Sequence, residues 1–370
     1  MVDIKLLDPP NGSITAPLQR YPWMVNEEMP KGNTADGGTL ASSCHQADPE
    51  AFRYLGEPLL DGSPVTSEDR SLPRAVSFSW DALLDGKGPV SYDLMISQDR
   101  DFDDPLILKD LSAPRAEVLH LHIATRYYWK VIARRSGRWL AESATWSFTT
   151  HAAPPRWIRV PGTTNVRDMG GWPLPNNRIV RQGVLYRGSE LNGHIQITDE
   201  GKRVLVHELG IRTDLDLRGN TEEADPALDQ NRVRWINIPA VSYHGMLEGE
   251  GQQDLRQVLQ VLAEESNYPI LFHCWGGADR TGTVAFLLHA LLGVSRANLI
   301  HDYELTSLCI WGERSRSYWK FQHMMTTFAP PGEGTDQFAE QVAAYLLSIG
   351  VTQETIEAIR TQLIVDRKDR

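Results

Sequence analysis

The residues best suited to chemistry in this sequence form one run, His273-Cys274-Trp275-Gly276-Gly277-Ala278-Asp279-Arg280-Thr281-Gly282. The apolar Ile270-Leu271-Phe272 leads into it, and Val284-Ala285-Phe286-Leu287-Leu288-His289-Ala290-Leu291-Leu292 leads out. That order predicts a buried strand ending at Cys274, a short loop, and a helix opened by Arg280. In such a turn successive backbone N–H groups converge on one point, and the helix N-terminus adds about half a positive charge. Gly276 and Gly277 let the backbone approach a ligand without a Cβ in the way. The planar fork of Arg280 matches two oxygens of a phosphate, which a lysine matches less well. The same positive potential favours a thiolate, the competent nucleophile. A thiolate aimed at a bound phosphate implies in-line attack and a phosphocysteine on Cys274, with the Thr281 hydroxyl donating to the sulfur as it departs. The inert alternative is a buried thiol at a strand end. It leaves Arg280 and the paired glycines unexplained.

This loop resembles the signature of the protein tyrosine phosphatase superfamily. More narrowly, it is similar to bacterial tyrosine and dual-specificity phosphatases that read His-Cys-x-x-Gly-Lys-Asp-Arg-Thr-Gly. Four other stretches fit the same family: Asn165-Val166-Arg167-Asp168-Met169-Gly170-Gly171, Leu185-Tyr186-Arg187-Gly188-Ser189-Glu190-Leu191, Asp216-Leu217-Arg218 and Asp302-Tyr303-Glu304-Leu305-Thr306. The resemblance spans about 160 to 365. It implies Cys274 as nucleophile, Arg280 as phosphate clamp, a phosphate loop of Trp275, Gly276, Gly277, Ala278, Asp279 and Arg280, and neither metal nor cofactor. Two departures stand out. Ala278 replaces the loop lysine, which weighs against phosphoinositide substrates, and Trp275 is unusual beside the nucleophile.

Expelling an alkoxide or phenolate calls for a general acid. Relatives carry an aspartate for this on the loop before the signature strand. The corresponding segment here, Pro239-Ala240-Val241-Ser242-Tyr243-His244-Gly245-Met246-Leu247-Glu248-Gly249-Glu250, has none. Asp279 is the first candidate, because relatives with Asp just before the Arg are thought to use it. Asp168 is the second, with His244 and Glu248 behind. The bland readings are a loop-bracing carboxylate for Asp279 and a turn residue satisfying backbone N–H groups for Asp168. Arg167, Arg187 and Arg218 are candidate substrate contacts against the commoner role of salt-bridged arginine. His273 reads as structural and Cys309 as core. Cys44, in a loop-rich stretch, completes the three cysteines, too few for a disulfide framework or a zinc site.

The elements that must position these residues follow from pattern. Of the 370 residues, those beyond about 159 alternate strand-like and helix-like segments, which predicts a largely parallel sheet flanked by helices. Strands are expected at 183–187, 213–218, 233–238 and 269–274. Helices are expected at 199–209, 255–264, 281–292, 298–311, 338–349 and 353–365, with Thr198, Ser295 and Thr352 as N-caps. Residues 73–150 show period-two segments such as Val76-Ser77-Phe78-Ser79-Trp80 and Tyr127-Tyr128-Trp129-Lys130-Val131, a small all-β sandwich. Its aromatic placement resembles fibronectin type III-like modules. Residues 1–72 form an extension that contributes a strand to the sandwich, and 151–158 form a linker into the phosphatase domain at 159–370.

A formal net charge of -11 makes nucleic acid and anionic membranes poor partners, so an anion site has to be built locally. No run is apolar enough to span a membrane. The start lacks a signal peptide, giving a cytoplasmic chain as written, or a periplasmic or secreted one if a leader was removed. The sequence therefore predicts hydrolysis of phosphotyrosine, and by extension phosphoserine or phosphothreonine, in a protein or peptide. The alternatives are inositol phosphates or phosphoinositides by the same chemistry, an inactive phosphoryl-binding module, or a rhodanese-like sulfur carrier. The first domain reads as a spacer, or as a module that docks protein or carbohydrate.

Overall fold

Alternating apolar and polar side chains send one face of each early strand into a shared core. In a computed structural model of the chain, which describes residues 4–18, 69–83, 88–219, 224–311, 314–328 and 335–367, these strands form two sheets. One has the order β1 (Leu6–Asp8), β3 (Val76–Trp80), β6 (Arg115–Val118). The other runs β2 (Ser13–Ile14), β9 (Trp146–Thr149), β7 (Arg126–Arg135), β4 (Ser91–Ser97), β5 (Leu106–Leu111), with β8 (Arg138–Glu142) also on β7. Phe78, Trp80, Trp129 and Phe148 fill the space between them. Phe78 meets Trp129 edge-on at 5.1 Å. Each such burial contributes about 1.5–3 kcal/mol. The extension supplies β1 and β2 to this unit, while residues 69–72 belong to the second. Cys44 and the turns at 36–38 and 61–64 lie outside the described residues.

The second unit is built on a five-stranded sheet of order β10 (Arg167–Asp168), β13 (Leu185–Gly188), β16 (Ile270–His273), β14 (Thr213–Asp216), β15 (Arg234–Asn237). All neighbours are parallel except β10, which runs antiparallel to β13 at the edge. The helices are α1 (Asp199–Arg203), α2 (Gly251–Ala263), α3 (Arg280–Leu292), α4 (Arg296–Leu305), α5 (Trp319–Phe328), α6 (Thr335–Ser348) and α7 (Gln353–Leu363). Thr198, Ser295 and Thr352 cap α1, α4 and α7 by accepting backbone N–H bonds. Helix α3 is buried from Thr281 to Leu292, as its unbroken apolar run requires, and ends on Gly293 in the left-handed region (φ +93°).

Three differences from the sequence expectation fall at helix ends. The helix from Asp199 changes to a π-helical turn at Val204–Glu208. The stretch expected as one helix to Trp311 breaks at Leu305, where a 3-10 turn, Thr306–Leu308, follows. The β-branched Ile364 and Val365, expected to end α7, instead form β17 (Ile364–Asp366). This strand pairs with β12 (Arg178–Val180), which also carries β11 (Pro173–Leu174). Ladder bonds with β12 override a weak helical preference at a helix end. Among the described residues no helix is long and apolar enough to cross a membrane.

Candidate active site

Cys274 follows the C-terminal end of β16, the central strand, and is 2% exposed. Ligands of open α/β sheets collect at this edge. The loop after it folds back onto β13. Gly277 has φ +64°, and a Cβ there would stand 2.3 Å from the Gly188 carbonyl oxygen, so only glycine fits.

The loop carbonyls are held from outside. The Trp275 carbonyl accepts from the Glu190 N–H at 2.8 Å. The Asn165 side-chain amide donates to the Gly276 and Gly277 carbonyls, each at 3.1 Å. Arg187 Nη2 donates to the Gly277 carbonyl at 2.7 Å. Among the described residues, the N–H groups of Trp275 to Asp279 donate to no protein acceptor. With its oxygens turned outward and its amides unspent, the loop has the form of an anion nest at the N-terminus of α3, whose first residue, Arg280, is part-exposed.

A buried charge cluster underlies these braces. The Asp302 carboxylate pairs with Arg167 Nε at 2.9 Å and Arg187 Nη1 at 2.7 Å. Arg167 in turn donates to the Asn165 side-chain oxygen. One carboxylate thus orients both arms that reach the Gly277 carbonyl. Burial alone would raise the Asp302 carboxyl, but Arg167 and then Arg187 outweigh it and hold the group well below the usual carboxylate range. Arg187 is pushed down to about 10, first by burial and then by Arg167.

His273, next to Cys274 in the chain, lies between two carboxylates, with Nε2 2.9 Å from Asp214 and Nδ1 3.9 Å from Asp216. The Nε2 contact is an ion pair whose angle is too bent for a good hydrogen bond. Burial disfavours the imidazolium, yet Asp216 and Asp214 prevail and push the group up to about 9. A cation therefore sits next to Cys274 at neutral pH. The Thr281 hydroxyl is buried without a partner among the described residues, so the expected hydrogen bond to the sulfur is not made here.

Of the proton donors named from sequence, only Asp279 is on the loop and reaches solvent, its side chain being 42% exposed. Asp168 is a correction. Its carboxylate is fully buried and taken up by Arg156 (2.7 Å), the Gly170 N–H (2.7 Å) and the Gly183 N–H (2.7 Å). It also aligns with Leu271 across β13, short of the C-terminal end of β16 that Cys274 follows. It braces a turn. Arg167, Arg187 and Arg218, expected as substrate contacts, are a second correction, each with a side chain at most 1% exposed. Arg218 is held by Asp216 at 2.7 Å and by the Asn192 carbonyl at 2.6 Å. His244 and Glu248 pair with each other at 2.9 Å on the surface. Cys309 is buried, as expected of a core thiol, and burial pushes it up to about 12.

Sequence reasoning missed an aromatic rim and a tyrosine. Trp275, 38% exposed, stacks on His194 with centroids 4.0 Å apart and meets Trp311 edge-on at 5.9 Å. Trp311 lies over Gly276. The Tyr243 hydroxyl, from the segment without aspartate, donates to Asp279 Oδ1 at 2.6 Å.

Residues 158–365 match the model of the Tyrosine phosphatase family, so the chain belongs to that family and is a phosphatase enzyme. A tyrosine-protein phosphatase from Nostoc commune is 27% identical over 209 residues, covering 45% of this chain and 71% of that protein. A putative tyrosine-protein phosphatase from Cupriavidus necator is 27% identical over 171 residues, covering 38% of this chain and 59% of that protein. Among solved structures, the core catalytic domain of the S. cerevisiae PP-IP phosphatase SIW14 aligns with a TM-score of 0.30 at 19% identity, over 42% of this chain and 87% of that one. A Fn3-like protein from Clostridium thermocellum aligns with a TM-score of 0.18 at 17% identity, over 23% of this chain and 81% of that one. At these scores neither structural likeness bears on the site.

Proposed function

We propose that the protein hydrolyses phosphotyrosine monoesters, and by extension phosphoserine and phosphothreonine, in protein or peptide substrates, without a metal. The observation that carries this is the loop of outward-held carbonyls and unspent amides around Cys274. The Cys274 thiolate attacks phosphorus. The S–P bond forms as the P–O bond to the leaving group breaks, and Asp279 supplies the proton that the departing oxygen takes. Water then attacks the phosphocysteine and gives its proton to Asp279. The S–P bond breaks, and phosphate and thiolate are released. Loop amides and Arg280 hold the equatorial oxygens through both steps.

The exposed indole of Trp275 beside the nucleophile suits a substrate that presents an aromatic ring. A polyphosphorylated inositol would need several free cations. Arg167, Arg187 and Arg218 are buried in ion pairs, and Ala278 replaces a loop lysine, which favours the peptide reading. We read the all-β unit as a fibronectin type III-like spacer or docking module.

The test is turnover of a phosphotyrosine peptide, a phosphoserine peptide and inositol hexakisphosphate, with and without EDTA. The phosphotyrosine peptide is expected to lead, with no effect of EDTA. Cys274→Ser is expected to abolish turnover while retaining vanadate binding, and Arg280→Ala to lose both. Inositol hexakisphosphate as the preferred substrate, or turnover by Cys274→Ser, would overturn the proposal.

A further inference from the structure

We infer that Tyr243 and Arg314 are positioning residues for proton transfer by Asp279, standing in for the aspartate that the segment before the signature strand lacks. This rests on the reading of Asp279 as general acid. Tyr243 donates its hydroxyl to Asp279 Oδ1 at 2.6 Å, and Arg314 reaches the same carboxylate through Nε to Oδ1 (3.2 Å) and Nη2 to Oδ2 (3.1 Å). Both carboxylate oxygens are thus held, Oδ1 by Tyr243 and Arg314 and Oδ2 by Arg314, which fixes the orientation of the carboxyl group.

The backbone fixes the same relation. The Tyr243 N–H donates to the Thr283 hydroxyl at 2.8 Å, and that hydroxyl donates to the Asp279 carbonyl at 2.8 Å. Tyr243 is thus tied to Asp279 at both ends, by main chain and by side chain. It holds this place at φ +52°, a left-handed conformation that a bulky aromatic residue adopts only where its surroundings demand it. The Tyr303 hydroxyl, 2.9 Å from that of Tyr243, supports the ring from behind. Burial, and then Asp279, raise the Tyr243 phenol far above its ordinary range, so it stays a donor throughout the working pH range.

Leaving-group dependence separates positioning from general stability. A poor leaving group needs its proton, whereas a weakly basic one departs without it. Phenyl phosphate and p-nitrophenyl phosphate are the probes, assayed with the full chain carrying Tyr243→Phe, Arg314→Gln, Asp279→Asn and the double variant Tyr243→Phe/Asp279→Asn. Asp279→Asn is expected to lower kcat/KM, which reports the steps up to departure of the leaving group and not the later hydrolysis of the phosphocysteine, by about 100-fold or more on phenyl phosphate and far less on p-nitrophenyl phosphate. Tyr243→Phe and Arg314→Gln are expected to lower kcat/KM on phenyl phosphate by about tenfold and to leave kcat/KM on p-nitrophenyl phosphate within about twofold. In the Asp279→Asn background, Tyr243→Phe is expected to add nothing. Equal losses on both substrates for Tyr243→Phe and Arg314→Gln, or full additivity in the double variant, overturn the inference. Equal losses for Asp279→Asn overturn the general-acid reading itself, a distinct outcome.

Discussion

Asp302→Ala removes the one carboxylate that neutralises two guanidiniums whose side chains are 0% and 1% exposed. Breaking a buried pair by deleting one partner costs about 3–5 kcal/mol, because the remaining charge stays buried without compensation. Here two charges are stranded, so a loss at the upper end of that range is expected in urea unfolding at pH 7. Activity should fall as well. Arg187 and Asn165 hold the Gly277 carbonyl through this cluster, and a hydrogen bond to a charged group contributes about 1.5–3 kcal/mol, or about 10- to 100-fold in kcat/KM if the brace is needed in the transition state. Asp302→Asn keeps the volume and one acceptor and should be milder. The pH dependence has a definite sign. The folded carboxyl lies below its unfolded value of about 3.9, so its contribution is present above about pH 4 and is lost as pH falls further. The Asp302→Ala curve should therefore be flatter than wild type in acid. An unchanged unfolding midpoint at pH 7, or identical acid limbs, would refute the reasoning.

His273→Gln should show the opposite sign. With the folded imidazole near 9 and the unfolded near about 6.5, its pairing contributes about 3 kcal/mol that is complete below pH 6 and disappears as pH rises through 9. Chemical unfolding across pH 6 to 10 should show the variant converging on wild type at the alkaline end. Gly277→Ala places a Cβ 2.3 Å from a backbone oxygen at φ +64°, so the loop must shift. The expected outcome is a stability loss of about 1–3 kcal/mol, with phosphate affinity falling in parallel by isothermal titration.

The frame of the Cys274 loop could be read from sequence because it is local. Strand, cysteine, glycines, arginine and helix follow one another within a single run. The same holds for the N-caps, where a hydroxyl and the N–H it accepts are neighbours in the chain. The surroundings of the candidate proton donors were less legible because they depend on distant pairings. Asp168, in a glycine-rich stretch, looks alike in sequence whether it faces a cleft or the amides of a turn. Only its bonds to Arg156, Gly170 and Gly183 decide. Arg167 and Arg187 meet through Asp302, more than a hundred residues onward. Tyr243 had one faint signal, its place in a segment where an aspartate was expected. Arg314 had none, since nothing in its spacing relates it to Asp279.

Asn165, which holds two loop carbonyls, has its own N–H fixed by the Ser71 hydroxyl at 3.1 Å. Ser71 in turn is gripped by the buried Asp69. These residues lie far upstream of the first position matched by the family, separated from it in sequence by residues 73–153 of the β-rich unit. A protein trimmed to residues 158–365 would keep the whole Cys274 loop yet lose the hydroxyl that fixes the Asn165 N–H. Part of the support of that loop therefore comes from outside the span of likeness to other phosphatases.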